Sequence, residues 1–268
     1  MLTGEYQDGS EMNHNHGGNF WATWNFPPTL LIVLIGLALI YFIKSRTLPL
    51  HLRAAFYFGI ASALAVIITP IGALAQRYFW CHMVQHMVLM MLSGPLLVVG
   101  SVEIFRISAK SRFLPIWRIL THPWISWFSY AGLMIGIHFT GLHALTMNST
   151  FIHELVEVPA YLIVAYLFYY NILDRKNEHR VLTPAISVLM LFFMMVPETL
   201  TGFFIYAAPA SLYDEMFTLS DQQLGGALMW SGSMILDSIW LAIAVSDWFA
   251  SEKERAKIID EEIAREGR

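Results

Sequence analysis

Residues 80–104 read WCHMVQHMVLMMLSGPLLVVGSVEI, a run in which Glu103 is the single formally charged side chain. An α-helix needs about 20 apolar residues to cross roughly 30 Å of hydrocarbon, and this run is long enough. Its apolar residues do not alternate with polar ones, as they would in a strand of a membrane barrel. Because backbone amides in lipid must be paired within their own segment, the run predicts a membrane-spanning helix.

Six further apolar runs lie on either side of this one, bounded by proline, glycine and charged residues. Together the runs place seven helices near residues 27–43, 54–75, 80–104, 122–146, 151–172, 183–208 and 222–249. The composition agrees, since 56% of the residues are hydrophobic and 13% are charged, whereas soluble domains carry about 25% charged residues. The sequence therefore predicts an all-α, polytopic membrane protein, a bundle of seven transmembrane helices in the lipid bilayer.

Charge and cysteine content exclude several other classes of protein. A net charge of -4 offers no basic surface for nucleic acid, and one cysteine allows neither an internal disulfide nor a four-cysteine metal site. All the lysines lie outside the predicted spans, so a retinal Schiff base of the rhodopsin kind is excluded. Residues 1–26 are polar and contain no short apolar core, so we expect no cleavable signal peptide there.

The lysines and arginines predict how the bundle is oriented. Every one of them except Arg77 falls in the loops after predicted spans one, three and five or in the segment after span seven. Such an excess marks the cytoplasmic side. We therefore expect an extracytoplasmic polar segment over residues 1–26, a seven-helix domain over 27–249 and a charged cytoplasmic helical tail over 250–268, in a cytoplasmic membrane.

Histidines collect at the predicted outer ends of spans three, four and five. Residues four apart share a helix face, which pairs His82 with His86 and His153 with Glu157. His138 lies at a similar depth in span four. His143 follows it by five residues, about 140° around the helix, and faces the same centre only if the helix end is distorted. Ionisable side chains inside a membrane are functional candidates because burying them is costly.

Neutral imidazole binds copper, zinc and iron, so the histidines alone leave the metal open. Soft sulfur neighbours such as Met83, Met87 and Cys81 favour Cu(I), although each of these side chains is also explained by packing. His14 and His16 form a further candidate for loose copper binding.

Three acidic or amide side chains complete the candidate set. Asp221 is predicted to cap the start of span seven, and Gln222 follows it directly. Glu198 lies deep in span six beside Pro197, where it either bonds backbone groups freed by the kink or relays protons.

Several motifs occur in an order that is typical of one protein family. They are HMVQH at residues 82–86, GPLLVVG at 94–100, His138, His153, DQQLGG at 221–226 and Met-Trp at 229–230. With them the chain resembles the seven-span CtaG family of cytochrome c oxidase assembly factors, which is distinct from the single-span copper protein of the same name. Two positions depart from the family pattern: Val158 follows Glu157 where many relatives have histidine, and His143 stands where tyrosine is more usual.

The resemblance implies a non-enzymatic membrane factor, a metallochaperone that helps to load copper into the copper centre of a haem–copper oxidase. His82 and His86 are then the main metal ligands, with His138, His153, Glu157 and His143 completing a site open to the outside and filled by Cu(I). Asp221 and Gln222 would support the ligands or close the mouth of the site. The implied partners are oxidase subunits and a soluble copper chaperone on the outer side, and the oligomeric state stays open.

The sequence leaves three alternatives open: an enzyme, an electron-transfer protein and a structural subunit. Three histidines and a carboxylate also suit a zinc-dependent membrane hydrolase, in which a metal-bound water attacks an amide or ester. Histidines at matched depths on facing helices would suit a haem-binding electron-transfer bundle. A structural subunit without metal is the third alternative.

Overall fold

The computed structural model describes residues 20–105, 107, 110–174, 182–213 and 216–266. Within these ranges the chain is helical, with connecting turns and no β-strand. Seven long helices follow one another along the chain: α1 (Pro28–Lys44), α2 (Leu50–Ile68), α3 (Phe79–Ser101), α4 (Pro123–Phe139), α5 (Thr150–Leu173), α6 (Pro184–Ala207) and α7 (Leu219–Glu266). The all-α prediction is thus confirmed for the described residues.

Five of these helices, α2, α3, α5, α6 and α7, are long and apolar enough to cross a membrane. Helices α1 and α4 have 17 residues each. Helix α1 matches the first predicted span, whereas α4 ends at Phe139, before the predicted end of the fourth span at residue 146. The several apolar helices indicate a membrane protein, whereas the number of seven spans stays a prediction. Helix α7 runs without a break through the residues predicted as span seven and into the charged tail, whose side chains after Ser251 are exposed.

Local sequence explains where several helices begin and end. Proline occupies the first turn of α1, α4 and α6, where its missing N–H costs nothing. The hydroxyl of Thr183 accepts a hydrogen bond from the backbone N–H of Ile186 and so caps α6. The predicted second span ran to residue 75, but α2 ends at Ile68 because Pro70 starts a separate short turn of helix.

Helix α3 lies at the centre of the bundle and packs against α2, α5 and α7. Small residues allow the close approach: a methyl group on Gly100 would lie 2.5 Å from Cβ of Phe56 in α2. Helices α6 and α7 form an antiparallel pair, in which Gly202 and Gly226 face one another's backbone. The start of α3 packs most closely against α7, and its side chains reach those of α4 and α5.

Candidate metal centre

The start of α3 is fixed by a side chain from another helix. The carboxylate of Asp221, in α7, accepts hydrogen bonds from the backbone N–H groups of Phe79 at 2.7 Å and Trp80 at 3.2 Å. The prediction that Asp221 caps its own helix is therefore wrong; the hydroxyl of Thr218 accepts the bond from the Asp221 N–H instead. The reason is that Asp221 lies beside the free N–H groups of the neighbouring helix, which an acidic side chain satisfies well.

An interruption of the helix after α4 brings His143 back toward His138. Helix α4 ends at Phe139, and a separate helix, Leu142–Met147, begins after Gly141. The helix end is therefore distorted in the way that the sequence requires if both histidines face one centre. The rings of His138 and His143 lie 6.2 Å apart, centroid to centroid.

Helix α5 begins with a wider turn that carries the next two candidate ligands. The hydroxyl of Ser149 accepts a hydrogen bond from the N–H of Ile152, and the backbone from His153 to Glu157 is π-helical. Such turns are frequent at functional sites because they redirect side chains locally. His153 and Glu157 both point inward and are at most 3% exposed.

All six predicted ligand side chains lie together and are buried. We call this group the histidine cluster, and its members are His82, His86, His138, His143, His153 and Glu157. The ring of His82 is central, with centroid distances of 5.6 Å to His86, 6.2 Å to His138, 5.4 Å to His143 and 5.9 Å to His153. Side chains from α3, α4, α5 and the short helix after α4 thus meet at one place.

The carboxylate of Glu157 organises one side of the cluster. It accepts a hydrogen bond from Nδ1 of His153 at 2.6 Å and another from the hydroxyl of Tyr161 at 2.8 Å. Nε2 of His82 lies 3.6 Å from the same carboxylate, too far for a hydrogen bond. Tyr161 was not among the predicted residues, although its spacing of four from Glu157 on one helix is a signal in the sequence.

Met83 occupies the other side of the cluster. Its sulfur lies 3.1 Å from Nε2 of His86 and 3.4 Å from Nε2 of His138. Nδ1 of His138 donates a hydrogen bond to the backbone carbonyl of Met134 at 2.8 Å, which fixes the orientation of the ring. A thioether therefore faces two imidazole nitrogens in a fully buried place.

Many nitrogens of the histidine cluster are buried without a hydrogen-bond partner. They are Nδ1 and Nε2 of His82, Nδ1 of His86, Nδ1 and Nε2 of His143 and Nε2 of His153. Buried polar atoms of this kind are rare in proteins because each loses its hydration without compensation. Ligand atoms of His82, His153 and Glu157 lie within 4.8 Å of one another, which suits a shared metal ion.

The connection between α6 and α7 covers the cluster. The ring of Tyr213 lies 4.4 Å from that of His143, and the ring of Phe217 lies 5.4 Å from that of Phe79. Gln222 holds this connection: its Oε1 accepts a hydrogen bond from the N–H of Leu212, and its Nε2 donates to the carbonyl of Ile205. Gln222 thus fixes the cover and is bonded to backbone, and the two aromatic residues were missed by the sequence reasoning.

The remaining candidates lie elsewhere. Cys81 is buried next to the cluster's helix start, as packing predicts. Glu198 is fully buried and faces Asp237 of α7 and Tyr130 of α4, outside the histidine cluster. His14 and His16 fall outside the described residues.

Comparison with known proteins supplies the family. The family model described as "Cytochrome c oxidase caa3 assembly factor (Caa3_CtaG)" matches residues 33–251, which contain the whole histidine cluster. The chain belongs to this family. The resemblance found in the sequence motifs is thereby confirmed. Membership in the Caa3_CtaG family favours a role in assembly over a catalytic one.

One curated protein is similar in sequence to this Caa3_CtaG member. It is an uncharacterised protein of Mycobacterium leprae (strain TN), 22% identical over 263 residues, a match that covers 85% of this chain. The chain spans 40% of the length of that relative. No solved structure matches the chain.

Proposed function

We propose that this member of the caa3 oxidase assembly factor family binds copper in its histidine cluster and passes it to the copper centre of a cytochrome c oxidase. The observation that carries the proposal is the set of buried imidazole nitrogens without hydrogen-bond partners. A structural network would pair these atoms, whereas a metal ion binds the one nitrogen of each neutral ring that carries a free electron pair. Family membership supplies the oxidase as the target of assembly.

The ligand chemistry suits copper as a cargo. Imidazole nitrogens and a thioether are ligands that copper accepts in its reduced state, and few-coordinate sites of this kind release the metal readily. The hydrogen bond from His153 Nδ1 to Glu157 leaves Nε2 of His153 as the ligand atom, an arrangement that orients histidine in many metal sites. We therefore propose that the histidine cluster carries Cu(I), with a bound ion held by two or three of its side chains at a time and not by all five histidines at once.

The proposal includes an arrangement in the membrane. The apolar runs support seven spans, and the distribution of lysine and arginine supports a histidine cluster at the extracytoplasmic side of a bacterial cytoplasmic membrane. In this orientation the cover formed by Tyr213 and Phe217 faces the compartment in which an oxidase copper centre is loaded. A soluble copper chaperone on that side would deliver the metal, and oxidase subunits would receive it.

The cluster's geometry disfavours haem. A bis-histidine haem needs a slot for its macrocycle between two facing rings. The rings of His82 and His86 instead contact one another, the ring of His138 and the ring of Tyr161, with centroid distances of 5.2–6.4 Å.

The test measures metal content and optical absorption of the protein purified in detergent under anaerobic, reducing conditions. We expect near-stoichiometric copper without a haem band in the wild type, and its loss in His82→Ala/His86→Ala. His122→Ala is the matched control, because His122 lies at the far end of α4 and its removal should leave copper unchanged. In cells that lack the wild-type protein, the His122→Ala control should restore the amount of copper-loaded oxidase. The double variant should leave that amount low. Wild-type protein that binds no copper would refute the proposal.

A zinc hydrolase is the second candidate, favoured by one observation. Two histidines and a glutamate, here His82, His153 and Glu157, form the ligand set of several catalytic zinc sites. Tightly held zinc in the same purification, with turnover of an amide or ester that is lost in His153→Ala, would establish this alternative in place of the copper proposal.

A further inference from the structure

The sulfur of Met83 lies between two ring nitrogens at the centre of the bundle. It is 3.1 Å from Nε2 of His86 and 3.4 Å from Nε2 of His138, and all three side chains are at most 2% exposed. Met83 and His86 are three residues apart on α3 and so project from one face of the helix, while His138 comes from α4. The arrangement therefore joins two helices through three potential ligand atoms.

The state of the His138 ring makes this contact informative. A backbone carbonyl only accepts hydrogen bonds, so the bond to Met134 places the proton of His138 on Nδ1. In the neutral ring Nε2 then carries a free electron pair, and this pair points at a sulfur atom that also carries free pairs. At 3.4 Å the two atoms are in van der Waals contact with their electron pairs facing one another, an arrangement that a cation between them would use.

We propose that His86, Met83 and His138 form a Cu(I) position of their own, adjacent to and distinct from the position at His82, His153 and Glu157. The inference rests on the proposed function and names the metal state that each part of the histidine cluster holds. Two nitrogens and a thioether select Cu(I), because a soft sulfur ligand prefers the soft cation. Two nitrogens and a carboxylate suit borderline divalent ions instead.

The distances fit a metal between the three atoms. Bond lengths of about 2.1 Å to nitrogen and 2.3 Å to sulfur, as in zinc sites, set the two atoms roughly 3.6 Å apart at a tetrahedral angle. Each nitrogen then has to move from the sulfur by about half an ångström or less. Methionine permits this shift since its side chain has three rotatable bonds.

The two positions use the Nε2 atoms of two neighbouring rings, one that of His82 and the other that of His86. Nε2 of His82 faces Glu157 at 3.6 Å, whereas Nε2 of His86 faces Met83. The ring centroids of His82 and His86 are 5.6 Å apart, so a metal ion is able to pass between the positions by exchanging one ligand at a time. A route of this kind leads from the His143 side of the cluster, under the cover, to the thioether position.

The experiment compares Met83→Leu with Met90→Leu in the full chain in detergent. Met90 is a matched control, a fully buried methionine of the same helix, and leucine replaces methionine with little change in volume. Cu(I) affinity is measured by competition with bathocuproine disulfonate under anaerobic conditions. Co(II), followed by its visible absorption, probes the position at His82, His153 and Glu157.

We expect Met83→Leu to lower Cu(I) affinity at least about tenfold, the loss seen even for groups that merely support a ligand. Co(II) affinity should be unchanged in Met83→Leu and should fall in His153→Ala, while Met90→Leu matches the wild type for both ions. X-ray absorption of the Cu(I)-loaded wild type should show one sulfur neighbour at about 2.3 Å, a measurement that needs no variant to fold.

Three results would overturn the inference. If copper binds the wild type without a sulfur neighbour, or if Met83→Leu keeps full Cu(I) affinity, the thioether position is wrong while copper binding by the cluster stands. If the wild type binds no Cu(I), the proposed function and this inference fail together.

Discussion

Replacing Asp221 by alanine is expected to loosen the start of α3 and, with it, the histidine cluster. The carboxylate holds the N–H groups of Phe79 and Trp80 at 2.7 and 3.2 Å. The next N–H along the helix to be bonded is that of His82, which donates to the carbonyl of Tyr78 in the first complete turn. Fraying of this turn therefore releases His82 itself.

The size of the effect follows from the two lost hydrogen bonds. Removal of a helix cap costs about 0.5–2 kcal/mol, and hydrogen bonds to a charged group contribute about 1.5–3 kcal/mol each. Asp221 is half-buried, so we expect a loss of about 2 kcal/mol in the free energy of unfolding. Asp221→Asn keeps one acceptor oxygen and should lose about half of that. Metal affinity should fall about tenfold for each 1.4 kcal/mol by which the ligand geometry is destabilised.

The assay is unfolding by sodium dodecyl sulfate, followed by circular dichroism, together with Cu(I) competition on the same samples. Asp260→Ala removes an exposed carboxylate from the same helix and should change neither quantity. Thr218→Ala removes the cap of α7 and should lower stability by about 1 kcal/mol with unchanged copper affinity. If Asp221→Ala stays within about 0.5 kcal/mol of Asp260→Ala, the contact does not hold the helix and the reasoning fails.

Three further predictions concern packing, ligand support and metal linkage. A methyl group on Gly226 would lie 2.6 Å from the backbone nitrogen of Tyr206, so Gly226→Ala should lower the free energy of unfolding by about 1–3 kcal/mol; Gly132→Ala, which meets open space, should not. Tyr161→Phe removes the hydrogen bond to Glu157 and should weaken Co(II) binding about tenfold, as read from a visible-absorption titration. Free Cu(I) at 100 times its dissociation constant should stabilise the wild type by about 2.7 kcal/mol, and an unshifted unfolding transition would contradict binding to the folded state.

Helix positions were predictable because hydrophobic length is a strong signal, whereas helix ends depended on local details. Helices α5 and α6 begin and end within about a residue of the predicted runs. The error at the end of α2 arose because the apolar run continues past Pro70, and hydropathy alone does not register a proline that ends a helix. Composition predicted span seven and a charged helical tail after it, and the structure joins the two in the single helix α7.

The candidate ligands were predictable from spacing, but the contacts that organise them were not. His82 with His86, and His153 with Glu157, follow from a repeat of four residues on a helix. The role of Asp221 depends on which helix lies beside it, and that is a property of the packed bundle. Met83 was one of several sulfur side chains that favour Cu(I) but are also explained by packing, and the sequence did not show that its sulfur lies beside His86 and His138.

The chemistry of the cluster explains why histidines occupy a place that apolar side chains would fill at lower cost. Leucine or phenylalanine at these positions would pack without leaving polar atoms unpaired, and each unpaired buried atom costs about 1–3 kcal/mol. The chain nevertheless fixes the surroundings with specific contacts: Asp221 holds the start of α3, Glu157 orients His153, and Gln222 anchors the connection above. Side chains that are individually costly and jointly positioned are preorganised to bind, and their soft and borderline ligand atoms are the reason for proposing a metal ion as the cargo.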